Sequence, residues 1–242
     1  MTIQAERLQD VTLLTIDRPE RRNAINTEAC VALKEAVDSA LADGTRAIVL
    51  TGAGGHFCAG ADLSGVEGSD FRAALRVLLD ALTTVPMPVM AAVQGVALGA
   101  GTQLAVACDL RVASADSRFG IPAAKLGLMV DHWTVQRLSR VAGHSTAQAM
   151  LLAAEEVDGA TAVRLGLAHR EGTLADALAW AGQVAELAPL TMAGHKLALH
   201  RLEGPPDDPD VDAALLKAWS SEDLVEGMAA FKERRLPRFQ GK

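Results

Sequence analysis

Residues 86–108 carry no charged side chain, and this uncharged stretch restricts the possible folds more than any other part of the sequence. A run of this kind is either a membrane-spanning helix or a segment buried inside a protein core. Its prolines and glycines fall where a strand would end and a new helix would begin. We therefore expect a buried strand, a glycine turn and a buried helix here, not a membrane span.

Strand and helix patterns alternate through the first half of the chain. The predicted strands are residues 11–17, 47–50, 89–93 and 110–113. The predicted helices are residues 29–41, 71–82 and 102–108. Thr27 can cap the first of them. From residue 135 onward the pattern is almost wholly helical. This order predicts an α/β core followed by an α-helical C-terminal portion.

Composition and charge exclude several classes of protein. The chain has 242 residues, 50% of them apolar, which is enough for one large core or for a main domain with an appendage. A net charge of −7 argues against binding to nucleic acid or to an acidic membrane surface. Cys30, Cys58 and Cys108 have no metal-ligand spacing. We expect free thiols in a cytoplasmic protein, without a metal or a permanently bound cofactor.

Two segments place small residues where a strand passes into a helix: residues 57–63 (FCAGADL) and 95–103 (GVALGAGTQ). Small residues let a ligand approach the backbone, and a helix start leaves N–H groups unpaired beside a positive dipole end. Two such N–H groups that converge on one point would form an oxyanion hole. The alternative is that these glycines only permit tight turns and close packing of helix on sheet.

Other chemistry is not indicated. Neither glycine segment continues into a dinucleotide-binding motif, and no P-loop Lys-Ser/Thr pair follows. The sequence contains no GxSxG nucleophile motif and no HExxH metal motif.

Several motifs, in this order along the chain, resemble the crotonase (enoyl-CoA hydratase/isomerase) superfamily. They are residues 18–25 (RPERRNAI), 48–63, 97–111, 119–122 (FGIP), 136–138 (QRL) and 226–234. The resemblance extends from about residue 11 to the end of the chain. It implies a spiral of repeated ββα units, here residues 1–190, which carries the acyl-CoA site. Residues 191–242 would then form a helical region that covers coenzyme A and drives assembly into a homotrimer or a dimer of trimers.

The resemblance also assigns binding residues. It places the oxyanion hole at the backbone N–H groups of Ala61 and Ala100. A glycine is usual at the second position, but alanine keeps the N–H. The residues implied in binding coenzyme A are Arg21, Arg22, Ala24, Ala59, Asp62, Leu63, Phe231 and Arg234. The last two could come from a neighbouring subunit, and Arg234 could alternatively be a solvated charge that complements a helix end.

The sequence departs from the hydratase pattern at both glutamates that position and activate water. Gln103 and Ala123 stand at these positions. Glutamine can orient a water molecule but has no basic oxygen, and alanine can do neither. The loss of two general acid–base groups argues against ordinary enoyl-CoA hydration.

Asp131 is the candidate substitute for the missing carboxylates. A buried carboxylate at this point would have a raised pKa and could act as a base facing the acyl chain. The alternative, which does not exclude the first, is a helix N-cap before the pattern that starts at His132. His132 and Trp133 are candidates for the wall of the acyl pocket, and residues 64–70 for a lid over it.

Three functions remain open at this point. The chain could bind fatty acyl-CoA and hand it on without hydrating it. It could be an isomerase, a dehalogenase-like enzyme or a weak hydratase that relies on Asp131. It could also be a scaffold without affinity for acyl-CoA.

Overall fold

The structure, a computed structural model, describes residues 2–62, 68–202 and 209–240. Leu63 and residues 64–67 of the predicted lid lie outside these ranges. The strands are β1 (Ile3–Leu8), β2 (Val11–Ile16), β3 (Ala47–Gly52), β4 (Val89–Val93), β5 (Val96–Leu98), β6 (Leu110–Ala113), β7 (Arg118–Gly120), β8 (Glu156–Asp158) and β9 (Arg170–Glu171).

The helices alternate with these strands at first and then follow one another. They are α1 (Thr27–Ala42), α2 (Gly68–Thr84), α3 (Ala100–Ala107), α4 (His132–Ala142), α5 (His144–Leu152), α6 (Gly159–Arg164), α7 (Leu174–Ala185), α8 (Pro189–Arg201), α9 (Pro209–Trp219) and α10 (Glu222–Glu233). Short 3₁₀ turns lie at Pro19–Arg21, Ala53–Gly55 and Pro122–Leu126.

The chain adds strands to two different sheets as it advances. The main sheet has the order β1-β2-β3-β4-β6-β9. Its strands β2, β3, β4, β6 and β9 are parallel, and β1 pairs antiparallel with β2 at one edge. The second sheet has the order β5-β7-β8. After β4 and after β6 the chain leaves the main sheet and adds β5 or β7 to the second sheet before its next helical segment. This repetition is the predicted spiral of ββα units.

The main sheet is covered on both faces. On β3, Ile48 and Leu50 join a large cluster with residues of α1, α2 and α3. Val49, between them, packs with Ala177 and Ala181 of α7 on the opposite face. Successive side chains of a strand point to opposite faces. A strand that is buried on both faces therefore reads as the continuous apolar run seen in the sequence.

The uncharged stretch 86–108 forms β4, β5 and α3, as predicted. All eight residues of α3 are buried. In the parts of the chain that the structure describes, no helix is both long enough and apolar enough to cross a bilayer.

The C-terminal helices fold back onto the core of the same chain. Lys196 of α8 donates hydrogen bonds to Leu82 O at 3.0 Å and Met87 O at 3.1 Å, and pairs with Asp109 at 2.7 Å. The predicted boundary between residues 190 and 191 falls in the first turn of α8.

Helix α10 crosses the Pro122–Leu126 turn at very short range. A Cβ at Gly227 would lie 2.5 Å from Leu126 O, and one at Gly127 would lie 2.6 Å from Asp223 O. Glycine at both positions therefore lets α10 lie directly against this turn.

The N-cap of α4 is the residue predicted from the sequence, whereas the N-cap of α1 is not. Asp131 caps α4 as predicted, because its side chain accepts a hydrogen bond from Thr134 N. Helix α1 is capped by Asn26, whose side chain accepts from Ala29 N, so Thr27 is the first helical residue and not the cap.

Candidate acyl-thioester site

Backbone hydrogen bonds hold the two glycine turns side by side. Cys58 N donates to Val96 O at 3.0 Å, and Leu98 N donates to Cys58 O at 3.0 Å. The two segments are still close at Gly60 and Ala100, because a Cβ at Gly60 would lie 3.9 Å from Ala100 N. The residues that follow the paired segments, Ala61 and Ala100, therefore lie in the same region of the molecule.

The N–H groups of Ala61 and Ala100 are not used by the fold. Ala100 is the first residue of α3, where no intrahelical acceptor is available to the N–H. Ala61 forms an isolated parallel bridge with Ile25, but the bonds of that bridge use Gly60 O and Asp62 N. Among the described residues, no acceptor is paired with either N–H. The two turns thus present two spare backbone donors.

These donors lie in the wall of a cavity of about 600 Å³. That volume is within the range typical of small-molecule sites. Most of the residues selected from the sequence line this one cavity: Arg21, Arg22, Ala24, Ala59, Ala61, Asp62, Ala100, Gln103, Ala123, Asp131 and Phe231. Apolar side chains of α2, namely Phe71, Leu75 and Leu79, line it as well.

Asn23 fixes the N-terminal motif against the first glycine turn. It is fully buried, and its φ of 60° is in the left-handed region that Asn tolerates better than most residues. Its side chain accepts from Arg18 N at 2.9 Å and donates to Ala53 O at 2.8 Å and His56 O at 2.6 Å. These bonds bring the neighbouring Arg22 to the cavity wall.

Asp62 forms ion pairs with two arginines of the N-terminal motif. Its carboxylate pairs with Arg18 at 2.8 Å and with Arg21 at 3.7 Å, and its side chain is only 9% exposed. The Arg18 side chain is 17% exposed, whereas the Arg21 side chain is 52% exposed. Asp62 thus orients Arg21 at the cavity without removing its donors from solvent.

Gln103 belongs to a chain of hydrogen bonds that crosses one wall of the cavity. Gln103 Nε2 donates to Thr134 Oγ1 at 2.6 Å. Thr134 Oγ1 in turn donates to Asp131 Oδ1, which also accepts from Thr134 N at 3.0 Å. The other oxygen of Asp131 pairs with Arg76 Nη1 at 3.5 Å. Gln103, Asp131 and Arg76 all line the cavity.

The environment of Asp131 is that of a cap and an ion pair. Its side chain is 30% exposed, so Asp131 is not the buried carboxylate that the sequence suggested. One oxygen holds the start of α4, and the other faces Arg76. Ala123 lies on the Pro122–Leu126 turn and contributes a methyl group to the cavity wall.

Three residues selected from the sequence do not line the cavity. Trp133 is 2% exposed and lies in the main core, and His132 next to it is likewise outside the lining. Arg234 ends α10 with a φ of 56° and is exposed. Phe231 reaches the cavity from α10 of the same chain and remains 63% exposed.

Sequence reasoning missed the polar residues that α2 and α9 bring to the cavity. Trp219 Nε1 donates to Met129 O at 3.0 Å, and the Arg72 guanidinium lies 4.7 Å from the centre of the Trp219 ring. The apolar spacing of α2 identifies a helix, but it does not reveal that Arg72 and Arg76 face the cavity.

The cysteine in the first glycine turn is not a nucleophile. Burial raises the pKa of the Cys58 thiol to about 12, so the thiol is neutral at physiological pH. Over residues 2–62, 68–202 and 209–240, no group of three or more His, Cys, Asp or Glu side chains is arranged to hold a metal ion.

Comparison with known proteins gives a consistent result over nearly the whole chain. The family model described as enoyl-CoA hydratase/isomerase matches residues 6–242. A probable enoyl-CoA hydratase of Mycobacterium tuberculosis is 45% identical over 239 residues, which is 96% of each chain. The 2,3-dehydroadipyl-CoA hydratase of Escherichia coli is 35% identical over 252 residues, covering 98% of this chain and 97% of the relative.

Solved structures agree with the fold. The structure of a carnitinyl-CoA dehydratase from Mycobacterium avium has a TM-score of 0.86 and 34% identity, and covers 100% of this chain and 99% of its own. A methylmalonyl-CoA decarboxylase matches with a TM-score of 0.91 at 22% identity, over 100% and 99% of the two chains, which indicates a shared fold alone. The predicted fold class is therefore confirmed.

Proposed function

Because the chain belongs to the enoyl-CoA hydratase/isomerase family, we propose that it binds fatty acyl-CoA thioesters and hands them on without ordinary hydration. Substrates in this family are CoA thioesters. In the proposed complex, the N–H groups of Ala61 and Ala100 donate to the thioester oxygen. The observation that supports the proposal is the pair of spare donors in a cavity that Gln103 and Ala123 also line, at the positions where the family resemblance places the hydratase glutamates.

The energies of the two kinds of group favour binding over turnover. A backbone donor in an oxyanion hole contributes about 2.7–4 kcal/mol to a transition state, and about 0.5–1.5 kcal/mol as a net hydrogen bond to a bound carbonyl, which it holds and polarises without moving a proton. Moving a proton requires a general acid or base, each worth roughly 10²–10⁴-fold in rate. Neither the amide of Gln103 nor the methyl group of Ala123 can act as a general acid or base at neutral pH.

Different parts of the cavity wall suit different parts of an acyl-CoA ligand. Its arginine-rich end, with Arg21 and Arg22 next to Ala24, Ala59 and Asp62, suits the phosphates and the nucleotide of coenzyme A. Its α2 side, with Leu75 and Leu79, suits an acyl chain. The exposed ring of Phe231 belongs to the helical region that would cover coenzyme A. Leu63 and Arg234 remain predicted contacts of coenzyme A.

A second candidate is an enzyme that relies on Asp131, acting as an isomerase, a dehalogenase-like enzyme or a weak hydratase. The observation that favours it is the position of the Asp131 carboxylate in the cavity wall. In this case the carboxylate must leave Arg76 or Thr134 before it can take a proton from an acyl carbon.

Calorimetry and a spectrophotometric assay separate these candidates. The binder should show affinity for palmitoyl-CoA and no loss of enoyl absorbance with crotonyl-CoA or a longer enoyl-CoA. Turnover at rates comparable to hydratases that persists in Asp131→Asn would contradict both the binding proposal and the role of Asp131. Slow turnover that is abolished in this variant would favour the second candidate. No affinity for palmitoyl-CoA would leave the scaffold role.

We also propose a cytoplasmic homotrimer or dimer of trimers. Three buried free cysteines are consistent with a reducing compartment. Exposed apolar side chains are concentrated on α8 to α10, where they offer material for a subunit interface: Leu190, Leu197, Leu199, Leu202, Leu216 and Val225. Sedimentation equilibrium should give a mass three or six times that of the chain, and a monomer would contradict this proposal.

A further inference from the structure

The motif at residues 136–138 (QRL) contains a partly buried arginine that holds the far end of α3. Arg137 Nε donates to Val106 O in the last turn of α3 at 2.7 Å, and Arg137 Nη2 donates to Cys108 O at 3.5 Å. Val106 is fully buried, and the last carbonyl groups of a helix have no intrahelical donor. Arg137 therefore supplies a side-chain donor that the helix itself lacks.

Arg111 supports the same end of α3 from β6. It is only 3% exposed, and its guanidinium donates to Ala105 O at 3.2 Å, to Cys108 O at 2.6 Å and to Leu167 O at 2.6 Å. Burial lowers the pKa of Arg111 to about 10, so the group is still charged at neutral pH. A cation at this position complements the negative end of the helix dipole. Two guanidinium groups thus hold the C-terminal carbonyls of α3.

Arg137 also fixes the position of α4 along α3, together with Thr134. Thr134 accepts from Gln103 in the first half of α3, and Arg137 donates to Val106 near its end. The two residues of α4 are three positions apart, and so are their two partners on α3, so the bonds connect one face of each helix. A shift of one helix along the other would break both bonds together.

The far end of α3 matters for its first residue because the N–H groups of a helix point along the helix axis. The start of α3 is held by the Thr102 hydroxyl, which donates to Ala97 O at 2.6 Å and accepts from Gly120 N at 3.0 Å. The eight residues of α3 span about 12 Å. If the far end moved by the length of one hydrogen bond, about 3 Å, the helix would tilt by roughly 14°. A functional site tolerates only about 10–20°. The anchoring of the far end therefore decides where the Ala100 N–H points.

We propose that Arg137 is a positioning residue, which acts through the length of α3 to aim the Ala100 N–H at the thioester oxygen. The proposal rests on the proposed binding of the thioester at Ala61 and Ala100. Without the arginine, Val106 O is a buried acceptor that has lost its donor, and α3 tilts to find another. The N–H of Ala100 then leaves the line to the thioester oxygen, and its hydrogen bond weakens.

The absorbance of a bound chromophore measures this alignment. In 2,4-hexadienoyl-CoA the thioester is conjugated, so donors aimed at its carbonyl oxygen polarise it and move its absorption band to longer wavelength. We expect this red shift, relative to the free ligand, when the wild-type protein is saturated. Binding without a red shift would overturn the role of Arg137 together with the oxyanion hole. If the ligand does not bind, the proposed function fails as well.

Two variants of equal side-chain length test the donor at position 137. The amide nitrogen of Arg137→Gln occupies the place of the arginine Nε and can donate to Val106 O, whereas Arg137→Met places a methyl group there. We expect Arg137→Met to show a smaller red shift at saturation and a roughly twofold to tenfold lower affinity, and Arg137→Gln to restore both. A merely structural role would lower stability and affinity but leave the band of the bound ligand in place.

Arg140→Met is the matched control on the same helix, because the Arg140 guanidinium donates to Leu202 O, outside α3. It should keep the full red shift. A full red shift in Arg137→Met, or an equal loss in Arg140→Met, overturns the role of Arg137 while the thioester site stands. If Arg137→Met does not fold, as judged by circular dichroism, Arg137→Asn replaces it, because its amide is one methylene too short to reach Val106 O. Equal red shifts in the Asn and Gln variants would then overturn the proposal.

Discussion

Gly101 and Cys58 are packed backbone to backbone: a Cβ at Gly101 would lie 2.0 Å from Cys58 O and 2.9 Å from its carbonyl carbon. Gly101 is in the first turn of α3, and Cys58 lies three residues before Ala61. The contact therefore fixes the distance between the two turns that carry the spare donors. No side chain other than hydrogen fits between them.

Gly101→Ala should consequently separate the two turns. We expect a loss of about 1–3 kcal/mol of stability from overpacking, together with loss of acyl-CoA binding. Denaturant unfolding and calorimetry with palmitoyl-CoA measure the two effects. Gly182→Ala on α7 is the matched control, because a Cβ there meets nothing within 4 Å. It should be neutral or stabilise the protein by roughly 0.5–1 kcal/mol. Full acyl-CoA affinity in Gly101→Ala would contradict the proposed role of the paired turns.

The proposed oxyanion donor at position 100 can be removed without removing a side-chain contact. Proline lacks the N–H and is well tolerated at the first position of a helix, which Ala100 occupies. Ala100→Pro should therefore leave α3 intact while weakening acyl-CoA binding by about 0.5–1.5 kcal/mol, roughly twofold to tenfold, which is the net value of one hydrogen bond.

The control for this substitution is Ala100→Gly, which keeps the N–H and should bind with nearly wild-type affinity. Calorimetry with palmitoyl-CoA measures both variants, and circular dichroism confirms their helix content. Equal affinities in the Pro and Gly variants would mean that the N–H of residue 100 does not contact the thioester.

The predictable elements of the fold are those that are buried and therefore have a long run of apolar residues. The strands β2, β3, β4 and β6 lie inside the main sheet, so their apolar runs appear directly in the sequence. The strands of the second sheet contain only three residues each, too few for a periodic pattern to be recognised. Strand β1 was not predicted because its residues are mostly exposed at the sheet edge, and so it lacks an apolar run.

The part of the candidate site that was predictable is the part formed by backbone N–H groups. The glycine turns, together with the family resemblance, pointed to Ala61 and Ala100, because small residues and a helix start can be read locally. Thr134 was missed because its role depends on Asp131 and Gln103, which meet it only in the folded chain. Asn23 was missed for a similar reason, although an asparagine between two extended segments can indicate a left-handed residue.

Glutamate at both positions where the family resemblance places the hydratase carboxylates should create a hydratase. In Gln103→Glu/Ala123→Glu, two carboxylates would face a thioester held at Ala61 and Ala100. We expect hydration of crotonyl-CoA at least ~10²-fold faster than in the wild-type protein, since one general acid–base group alone is worth this much. The decrease in enoyl absorbance measures the rate.

The matched control is Gln103→Glu/Ala123→Gln, which has nearly the same volume in the cavity but a single carboxylate. Its rate should remain well below that of the double glutamate variant. Equal rates in the two variants, with acyl-CoA still bound, would show that position 123 does not face the reacting carbon.

His169 should make the protein less stable in acid. Its Nδ1 accepts a hydrogen bond from Arg111 N at 3.2 Å, and its ring lies beside Trp180. Partial burial lowers the pKa of His169 to about 4, and the charges of Arg111 and Arg170 act in the same direction. The unfolded chain, with an ordinary histidine pKa of about 6.5, takes up the proton first as the pH falls. Stability from neutral His169 is therefore complete above about pH 6.5 and is lost progressively towards pH 4.

His169→Asn tests this assignment, because an asparagine Oδ1 can accept from Arg111 N without titrating. The Tm of the two proteins should be similar at pH 8, where the histidine is neutral in both the folded and the unfolded chain. Between about pH 6.5 and 4 the Tm of the variant should fall less steeply than that of the wild-type protein. Parallel Tm profiles over this interval would mean that protonation of His169 is not linked to unfolding, and that the acid sensitivity arises from other groups.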